Sequence, residues 1–335
     1  MENLDQLKSF LSIPRDLAIV THRNPDGDAI GSSLALYHYL NHHGHTVRAV
    51  FPSDYPAIFS WMPGIQEVLI YDIEPKEVES RLQKADLIFC LDFNSLDRID
   101  RVGDIIQGCR SPIALIDHHL YPENFAEYNL LRSTASSTCE LIYDFIYMMK
   151  DERLIDTIIS ESIFTGILTD TGSFKYSTSP HVFRIVAELL ERGADDNKLQ
   201  DLIFNSLDEK NLRLLGFCLN SRMELLPEYK AGIITLSRRD YEHFDIQRGD
   251  TEGIVNFLLK IKEVQVAAFI TEQPTIVKIS LRSKGEFSVQ EIATKHFKGG
   301  GHRNASGGYS YKGLRATVLK FKEILAEYKE VLNQI

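Results

Sequence analysis

The segment Thr21-His22-Arg23-Asn24-Pro25-Asp26-Gly27-Asp28-Ala29-Ile30-Gly31-Ser32 follows a short apolar run at 17–20 and leads into a helical pattern. It places one imidazole and two carboxylates between a buried strand and the start of a helix. Burying three ionisable groups is costly unless something pairs their charges, and a divalent cation would do so. A plain turn with Asp as a helix N-cap explains the same residues, because Asn-Pro and Asp-Gly are turn dipeptides. The segment alone leaves both interpretations open.

Composition narrows the class of protein. The 335 residues suffice for two domains, and 47 acidic against 37 basic residues give a net charge of -10. This charge argues against a nucleic-acid coat or a membrane-surface protein, but not against a phosphate-bearing substrate met by metals or a local basic patch. The cysteines are Cys90, Cys109, Cys139 and Cys218; they are widely spaced and indicate neither a zinc ribbon nor a disulfide framework. No signal-like or membrane-spanning run is present, so we expect a soluble, cytoplasmic protein without a membrane partner.

Acidic residues follow several predicted strands. Apolar runs at 46–51, 67–71, 86–91 and 113–116 alternate with helical stretches, which predicts a parallel α/β sheet. Asp92 follows one of these runs, Asp117-His118-His119 follows another, and Asp170 ends a helical stretch. In open α/β sheets the site lies at the carboxyl ends of the strands. We therefore expect these residues to meet the opening segment there.

The predicted cluster is rich in carboxylates and imidazoles and contains no thiolate. Such a donor set suits Mn²⁺ or Mg²⁺ better than a structural zinc ion. It offers more ligands than one ion needs. A two-metal site with a bridging carboxylate is therefore the expected arrangement.

A second domain is expected after residue 205. A charged helical segment at 206–222 is interpreted as a connector helix, and a new pattern occupies 223–335 with a strand at 231–236 and hairpin-like runs at 264–270 and 275–281. The expected fold class is therefore α/β, with a parallel-sheet domain at 1–205 carrying helices on both faces and a smaller α/β domain behind it.

A glycine-rich stretch at 297–308 closes this second pattern. Six basic and two acidic residues lie between Lys278 and Arg303, opposite in sign to the whole chain. The glycines could form a simple hairpin turn, or they could let the backbone approach an anion, with Arg282 and His302 supplying charge. The sequence leaves both interpretations open.

One further motif has a structural explanation. Ser137-x-x-Glu140 precedes an apolar helical stretch and predicts a capping box.

Taken together, these motifs resemble the DHH phosphoesterase superfamily, which takes its name from the motif present here as Asp117-His118-His119. The segment from His22 to Asp28 resembles its first motif, Asp92 its second and Asp170-Thr171-Gly172 its fourth. The glycine-rich stretch, with Ser280-Leu281-Arg282-Ser283 before it, is similar to the core of the DHH-associated C-terminal domain. The resemblance covers nearly the whole chain. At this length it extends to the bacterial nano-RNases and pAp phosphatases, which cleave very short RNA and dephosphorylate 3′-phosphoadenosine 5′-phosphate (pAp).

The resemblance implies two divalent metal ions bridged by Asp92, Mn²⁺ being expected and Mg²⁺ or Co²⁺ the alternatives. The further ligands it implies are His22 and Asp26 for one ion, and Asp28, His118 and Asp170 for the other. Asp117 would orient His118. His119 would face the substrate phosphate, either as the acid that protonates the leaving oxygen or only as a source of charge.

The expected chemistry is in-line attack on phosphorus by a hydroxide between the two ions, without a covalent intermediate. The active site would lie in an interdomain cleft. The resemblance implies substrate contacts from the second domain by Arg282, Gly300, Gly301, His302 and Ser306.

The sequence leaves several functional hypotheses open. The expected partners are short RNA oligonucleotides and nucleotide phosphates. The expected products are mononucleotides from RNA and AMP from pAp. The main alternative is a phosphodiesterase acting on cyclic-di-AMP or pApA; a non-catalytic nucleotide sensor is an alternative of another class, which the complete ligand set disfavours. The preferred nucleotide, the cleavage polarity, the native metal and the oligomeric state, a homodimer included, are left open.

Overall fold

The computed structural model describes residues 1–206, 208–247 and 249–334. The chain divides into two compact units, Met1–Ser206 and Leu207–Ile335. Leu207, in the predicted connector, and Arg248 and Ile335, in the predicted second domain, lie outside the described residues. Within those residues, no helix is both long enough and apolar enough to cross a bilayer.

The first unit is built on a parallel sheet, as predicted. Its strands are β1 (Asp16–Thr21), β2 (Thr46–Phe51), β3 (Leu69–Ile70), β4 (Leu87–Leu91), β5 (Ile113–Asp117) and β6 (Tyr128–Leu131). They are ordered β3-β2-β1-β4-β5-β6, and all of these pairings are parallel. Its helices are α1 (Leu4–Phe10), α2 (Gly27–His42), α3 (Pro75–Lys84), α4 (Arg101–Gly108), α5 (Thr138–Met149), α6 (Thr157–Asp170), α7 (Pro180–Glu191) and α8 (Asp196–Phe204).

Both faces of this sheet are covered. Ile19 and Phe89 point into a core shared with α2, α5 and α6, whereas Val20 and Cys90 point into a second core shared with α3 and α4. Successive strand residues alternate between faces, so a strand buried on both faces must be apolar throughout. This explains the uninterrupted apolar runs, and it confirms the expectation of helices on both faces.

Helices α2 and α6 pack closely because glycines remove side chains from their contact. A Cβ atom on Gly31 would lie 2.5 Å from the carbonyl oxygen of Ser162. One on Gly166 would lie 2.2 Å from Cys139 Sγ and 2.7 Å from Asp28 Oδ1. These distances are far below van der Waals contact, so the two glycines allow the N-terminus of α2 to lie beside the C-terminus of α6.

The second unit contains a mixed sheet, in agreement with the predicted smaller α/β domain. Its strands are β7 (Met223–Leu226), β8 (Ala231–Leu236), β9 (Val266–Glu272), β10 (Val277–Ser283), β11 (Gly300–Gly301) and β12 (Ala305–Ser310), ordered β11-β12-β10-β9-β8-β7. Of these pairings β8–β9 is parallel and the others are antiparallel. Its helices are α9 (Glu209–Phe217), α10 (Arg238–His243), α11 (Ile254–Leu258), α12 (Val289–His296), α13 (Leu314–Glu327) and α14 (Lys329–Gln334).

Candidate active site

Strand order places an opening beside β1. The chain leaves β1 for β2 and β3 on one side and then returns to β4 on the other side. The loops that follow β1 and β4 therefore diverge, and open α/β sheets bind their ligands at such a point. The structure brings the sequence-predicted residues of the first unit to this edge. Asp92 follows β4, and Asp117 is the last residue of β5, with His118 and His119 directly after it. Asp170 is the last residue of α6.

One cluster gathers His22, Asp26 and Asp92. His22 Nε2 lies 3.5 Å from Asp92 Oδ2 and 3.9 Å from Asp26 Oδ1, while its Nδ1 lies 2.9 Å from the carbonyl oxygen of Arg23. Asp26 is also the N-cap of α2, because its Oδ1 accepts hydrogen bonds from the amides of Asp28 and Ala29. The helix-cap and charge-cluster interpretations of this segment therefore both hold.

A second cluster gathers Asp28, Asp92 and His118. His118 Nε2 lies 3.4 Å from Asp92 Oδ1, 3.7 Å from Asp28 Oδ2 and 3.4 Å from Asp170 Oδ2. Asp92 thus contributes one carboxylate oxygen to each cluster. Its backbone has φ of 66°, a left-handed conformation that non-glycine residues adopt infrequently and that is often found at functional sites.

The N-terminus of α5 holds the buried carboxylates, a role that the sequence motifs did not predict. The backbone amides of Thr138 and Cys139 donate to Asp28 at 2.6 and 2.9 Å, and the Thr138 hydroxyl donates to Asp92 Oδ1 at 2.9 Å. The first amides of a helix have no partner within the helix, and its dipole favours negative charge there. The start of an apolar helix at Ser137-Thr138 was the signal that could have indicated an anion-binding terminus.

The predicted capping box is half correct. Ser137 caps α5 and its hydroxyl accepts from the Glu140 amide at 3.1 Å. The Glu140 carboxylate, however, accepts from the Ser136 amide at 2.7 Å and from Arg132 at 2.9 Å. The reciprocal bond is therefore displaced by one residue, because Glu140 also neutralises a nearby guanidinium.

The expectation that Asp117 orients His118 is wrong. Asp117 Oδ1 lies 2.7 Å from His119 Nδ1, whereas His118 Nδ1 faces the carbonyl oxygen of Ala135 at 3.4 Å. Asp117 is the last residue of β5, and neighbouring side chains of an extended backbone point to opposite sides, so its carboxylate reaches His119, two residues on, rather than His118. Asp117 is 1 % exposed, and its Oδ2 has no hydrogen-bond partner among the described residues.

Burial and mutual charge shift the pKa values strongly. Burial raises the pKa of Asp28 well above its usual range and that of Asp170 to about 7. For Asp92, burial is outweighed by His118 and His22, which hold its pKa well below the usual range. Burial likewise opposes charge on His22, but neighbouring carboxylates raise its pKa to about 10. The cluster thus retains protons to offset its own negative charge, and a bound cation would take their place.

The donor set fits divalent cations. Nδ1 of His22 and Nδ1 of His118 each face a backbone carbonyl, which leaves Nε2 of each ring directed at carboxylate oxygens. The Nε2–oxygen separations of 3.4 to 3.9 Å exceed an ordinary N–H···O hydrogen bond. Ligands of one small cation, each about 2.1 Å from it, commonly stand this far apart. Orientation of a ligating imidazole through its other nitrogen is also the usual arrangement at metal sites.

Arg23 anchors the loop that holds His22. Its guanidinium donates twice to Asp72, at 3.1 and 2.8 Å, and its Nε lies 3.1 Å from Asp100 Oδ2. Its amide donates to the carbonyl of Arg98 at 2.9 Å. Because the carbonyl of Arg23 faces His22 Nδ1, these contacts fix the backbone that orients the imidazole.

The glycine-rich stretch of the second unit forms a hairpin. Gly300 pairs with Gly307 and Gly301 with Ser306. Gly301 has φ of 132°, and a Cβ atom there would lie 2.6 Å from the carbonyl of Ala305. Glycine is therefore required by close backbone packing within the hairpin itself.

The residues predicted to bind substrate lie around this hairpin. Arg282 pairs in register with Ala305, and the buried Ser306 hydroxyl donates to the carbonyl of His302 at 2.7 Å. The structure thus brings Arg282, Gly300, Gly301, His302 and Ser306 together in one part of the second sheet.

Comparison of the sequence and the fold with known proteins gives the class of protein. Residues 16–167 match the DHH family, N-terminal domain, and residues 230–334 match the DHHA1 domain. The chain belongs to the DHH family, and it is a hydrolase of the phosphoesterase class. This confirms the resemblance drawn from the motifs.

Three similar proteins illustrate the relationship. The chain is 31% identical over 300 residues to the bifunctional oligoribonuclease and PAP phosphatase NrnA of Thermus thermophilus, covering 88% of this chain and 84% of that protein. It is 26% identical over 342 residues to the cyclic-di-AMP phosphodiesterase GdpP of Bacillus subtilis, covering 97% of this chain but 49% of that protein. The crystal structure of an exopolyphosphatase-related protein from Bacteroides fragilis matches with a TM-score of 0.94 and 38% identity, over 98% of this chain and 97% of that one.

Proposed function

We propose that this protein hydrolyses short oligoribonucleotides to mononucleotides and pAp to AMP, using two divalent metal ions. The observation that carries the proposal is the sharing of Asp92 between two carboxylate–imidazole clusters at the carboxyl edge of a parallel sheet. The similarity to an oligoribonuclease and PAP phosphatase over most of both chains supports this substrate class. The four free cysteines agree with the cytoplasm as its location.

The proposed ligands follow the two clusters. His22, Asp26 and Asp92 hold one ion, while Asp28, Asp92, His118 and Asp170 hold the other. Mn²⁺ is the proposed ion, with Mg²⁺ and Co²⁺ as alternatives, since oxygen and imidazole donors without thiolate suit these ions. When bound, such ions supply charge neutralisation for the phosphate and an activated water molecule as nucleophile.

The chain's own residues prepare this chemistry. The amides at the start of α5 hold Asp28 in place, and the Thr138 hydroxyl holds Asp92. His119 is the proposed contact to the substrate phosphate. His119 Nδ1 lies 2.7 Å from Asp117 Oδ1, which fixes the orientation of the ring, and its Nε2 is the atom proposed to contact a phosphate or leaving-group oxygen.

A second anchor is proposed in the second unit. Arg282 and His302 bind a further phosphate of the substrate, with backbone groups of Gly300 and Gly301 and the Ser306 side chain shaping that position. The metal ions and the Arg282–His302 position are thus proposed as two anchors, meaning two sites that each bind one phosphate of the substrate. A substrate of two to a few nucleotides is enough to occupy both. Additional nucleotides of a long RNA gain little, because non-specific affinity grows only with the number of phosphates neutralised.

A second candidate function is hydrolysis of cyclic-di-AMP or pApA. The observation that favours it is the similarity to GdpP along 97% of this chain. A non-catalytic nucleotide sensor is disfavoured, because each residue of the proposed ligand set is present and lies in the clusters described above.

A substrate panel tests the proposal. We expect kcat/KM for pAp and dinucleotides to exceed that for RNA of about twenty nucleotides, which offers far more phosphates than two anchors can neutralise. Including cyclic-di-AMP and pApA separates the second candidate. A value that rises steadily with RNA length would overturn the assignment as a short-oligonucleotide enzyme.

A further inference from the structure

A short turn joins β6 to α5 and contacts the end of β5. The amide of Arg132, the residue after β6, donates to the carbonyl oxygen of Asp117 at 3.2 Å, and the carbonyl of Arg132 accepts from the amide of Ala135 at 3.0 Å. The carbonyl of Ala135 in turn faces His118 Nδ1 at 3.4 Å. The backbone of this turn therefore supplies the group that orients one imidazole of the proposed metal site.

The Arg132 side chain ties the same turn to α5. One guanidinium nitrogen donates to Glu140 Oε1 at 2.9 Å and also to Asp144 Oδ2. The other oxygen of Glu140 accepts from the amide of Ser136 at 2.7 Å. Glu140 thus contacts both ends of the turn, and the backbone between these two contacts is held in place.

The two carboxylates of α5 need this guanidinium. Glu140 and Asp144 are buried, whereas Arg132 is partly exposed. His181 of α7 lies 2.8 Å from the second oxygen of Asp144. The three acidic and imidazole side chains are close enough together to hold a metal ion, but the guanidinium already supplies the positive charge. Removing one partner of a buried ion pair leaves an uncompensated charge, so loss of the guanidinium should disturb the position of both carboxylates.

We propose that Arg132 is a positioning residue of the proposed metal site, because it holds the turn whose Ala135 carbonyl orients His118. This inference rests on the proposed function and deepens it. A ligating imidazole is held through its other ring nitrogen, and loss of the group that holds it weakens metal binding by about 10- to 100-fold. Arg132 acts one contact farther from the metal, so the effect should lie at the lower end of that range.

The contacts of Arg132 lie on the side of one of the two proposed ions. His118 belongs to the cluster of Asp28 and Asp92, and the first amides of α5, directly after the turn, hold Asp28. His22, in the other cluster, is oriented by the carbonyl of Arg23 instead. Loosening the turn should therefore weaken binding of the ion at His118 and leave the ion at His22 unaffected.

Calorimetric titration of the full-length protein with Mn²⁺, without substrate, tests this role. Wild type should bind two ions, and Arg132→Ala should weaken one of them about 10-fold without changing the other. Arg132→Lys should recover part of the loss, because an ammonium group can still pair with Glu140. Arg192→Ala is the matched control. Arg192 is a partly exposed arginine of the same unit that contacts Glu188 and a backbone carbonyl, and its loss should leave both affinities unchanged.

A double variant separates positioning from a general loss of stability. If Arg132 acts through His118, Arg132→Ala should cause no further loss of Mn²⁺ affinity in a His118→Ala background, because the effects of coupled residues do not add. The thermal unfolding midpoint of each variant is measured, and the titrations are made well below it. If Arg132→Ala does not fold, Arg132→Gln, which can still donate to Glu140, should show a loss of the same sign for the same ion.

The inference would be overturned by wild-type Mn²⁺ affinities in the folded Arg132 variants, by equal weakening of both ions, or by a full additional loss in the His118→Ala background. Turnover of pAp and dinucleotides by wild type is measured in parallel. Turnover combined with Mn²⁺ binding that does not depend on Arg132 would refute this inference alone. Mn²⁺ binding that depends on Arg132, without any turnover, would refute the proposed hydrolase function and leave the positioning role standing.

Discussion

The two sheets use charge in opposite ways. At the carboxyl edge of the first sheet, Asp28 and Asp92 are 1% and 2% exposed and depend on helix amides, imidazoles and protons for compensation. On the outer face of the second sheet, Lys278 is exposed and Tyr311 is 70% exposed. Buried charge imposes strict requirements on neighbouring residues, whereas exposed charge tolerates change. Substitutions should therefore have large effects at the first region and graded effects at the second.

Asp92→Ala should have the largest effect. Removing the carboxylate shared by both clusters should lower kcat/KM by about 10³-fold or more and abolish binding of Mn²⁺, because both proposed ions lose a ligand. Calorimetric Mn²⁺ titration and initial rates measure this, and chelator-stripped wild type should be equally inactive. Asp104→Ala, on the exposed surface of α4, is the control. Normal turnover by Asp92→Ala would refute the site assignment.

Arg282→Ala and His302→Ala should each raise KM about 10-fold, with a smaller effect on kcat, because they remove binding shared by ground and transition states. Mn²⁺ titration should be unchanged, in contrast to the Asp92 variant. Arg303→Ala is a control within the same hairpin, since Arg303 is exposed and pairs with Glu286. Loss of bound metal with an unchanged KM would show that the second region does not bind substrate.

Gly166→Ala should destabilise the first unit by about 1–3 kcal/mol, because the new methyl group overlaps Cys139 and the Asp28 carboxylate. The thermal unfolding midpoint measures the change. Gly216→Ala in α9 is the matched control, since no atom lies within 4 Å of the added Cβ, and it should raise stability by up to about 1 kcal/mol. Equal midpoints for the two variants would mean that α2 and α6 have room to separate.

Arg23→Ala should have the smallest effect of the four, a rise of about 10-fold or less in the Mn²⁺ dissociation constant, through loosening of the backbone that orients His22. Arg23→Lys should recover part of it by keeping one ion pair, and Arg101→Ala at the exposed start of α4 should change nothing. Metal titration decides the question independently of turnover. An unaltered dissociation constant would show that the loop is held without the Arg23 side chain.

Sequence patterns predicted the elements better than the connections between side chains. The apolar run at 46–51 and the strand at 231–236 coincide with β2 and β8. Most residues of both segments are apolar and buried, which favours an extended strand in the interior of a sheet. The predicted run at 67–71 shortens to Leu69–Ile70, because a 3₁₀ turn at Ile65–Glu67 occupies its beginning.

In the candidate site, too, the residues were predicted better than the contacts between their side chains. Its residues were predicted because the carboxyl ends of parallel strands converge, which brings Asp92 and His118 together without any knowledge of side-chain direction. The partner of Asp117 was predicted incorrectly, because the sequence did not show that the extended backbone of β5 reaches Asp117 and so directs its carboxylate to the side of His119. Thr138 was missed because its contacts come from a helix N-terminus 110 residues from Asp28 along the chain.

Cys139 lies at the centre of the first unit, between the glycines of α2 and α6 and directly beside Asp28. Burial and the adjacent carboxylates raise the pKa of its thiol well above the usual range. The Cys139 side chain is fully buried, so peroxides and alkylating reagents in solution do not reach this sulfur although it lies next to the proposed metal site. The protein should retain its activity in air without a reducing agent, which would free assays with Mn²⁺ from thiol reductants that compete for the metal.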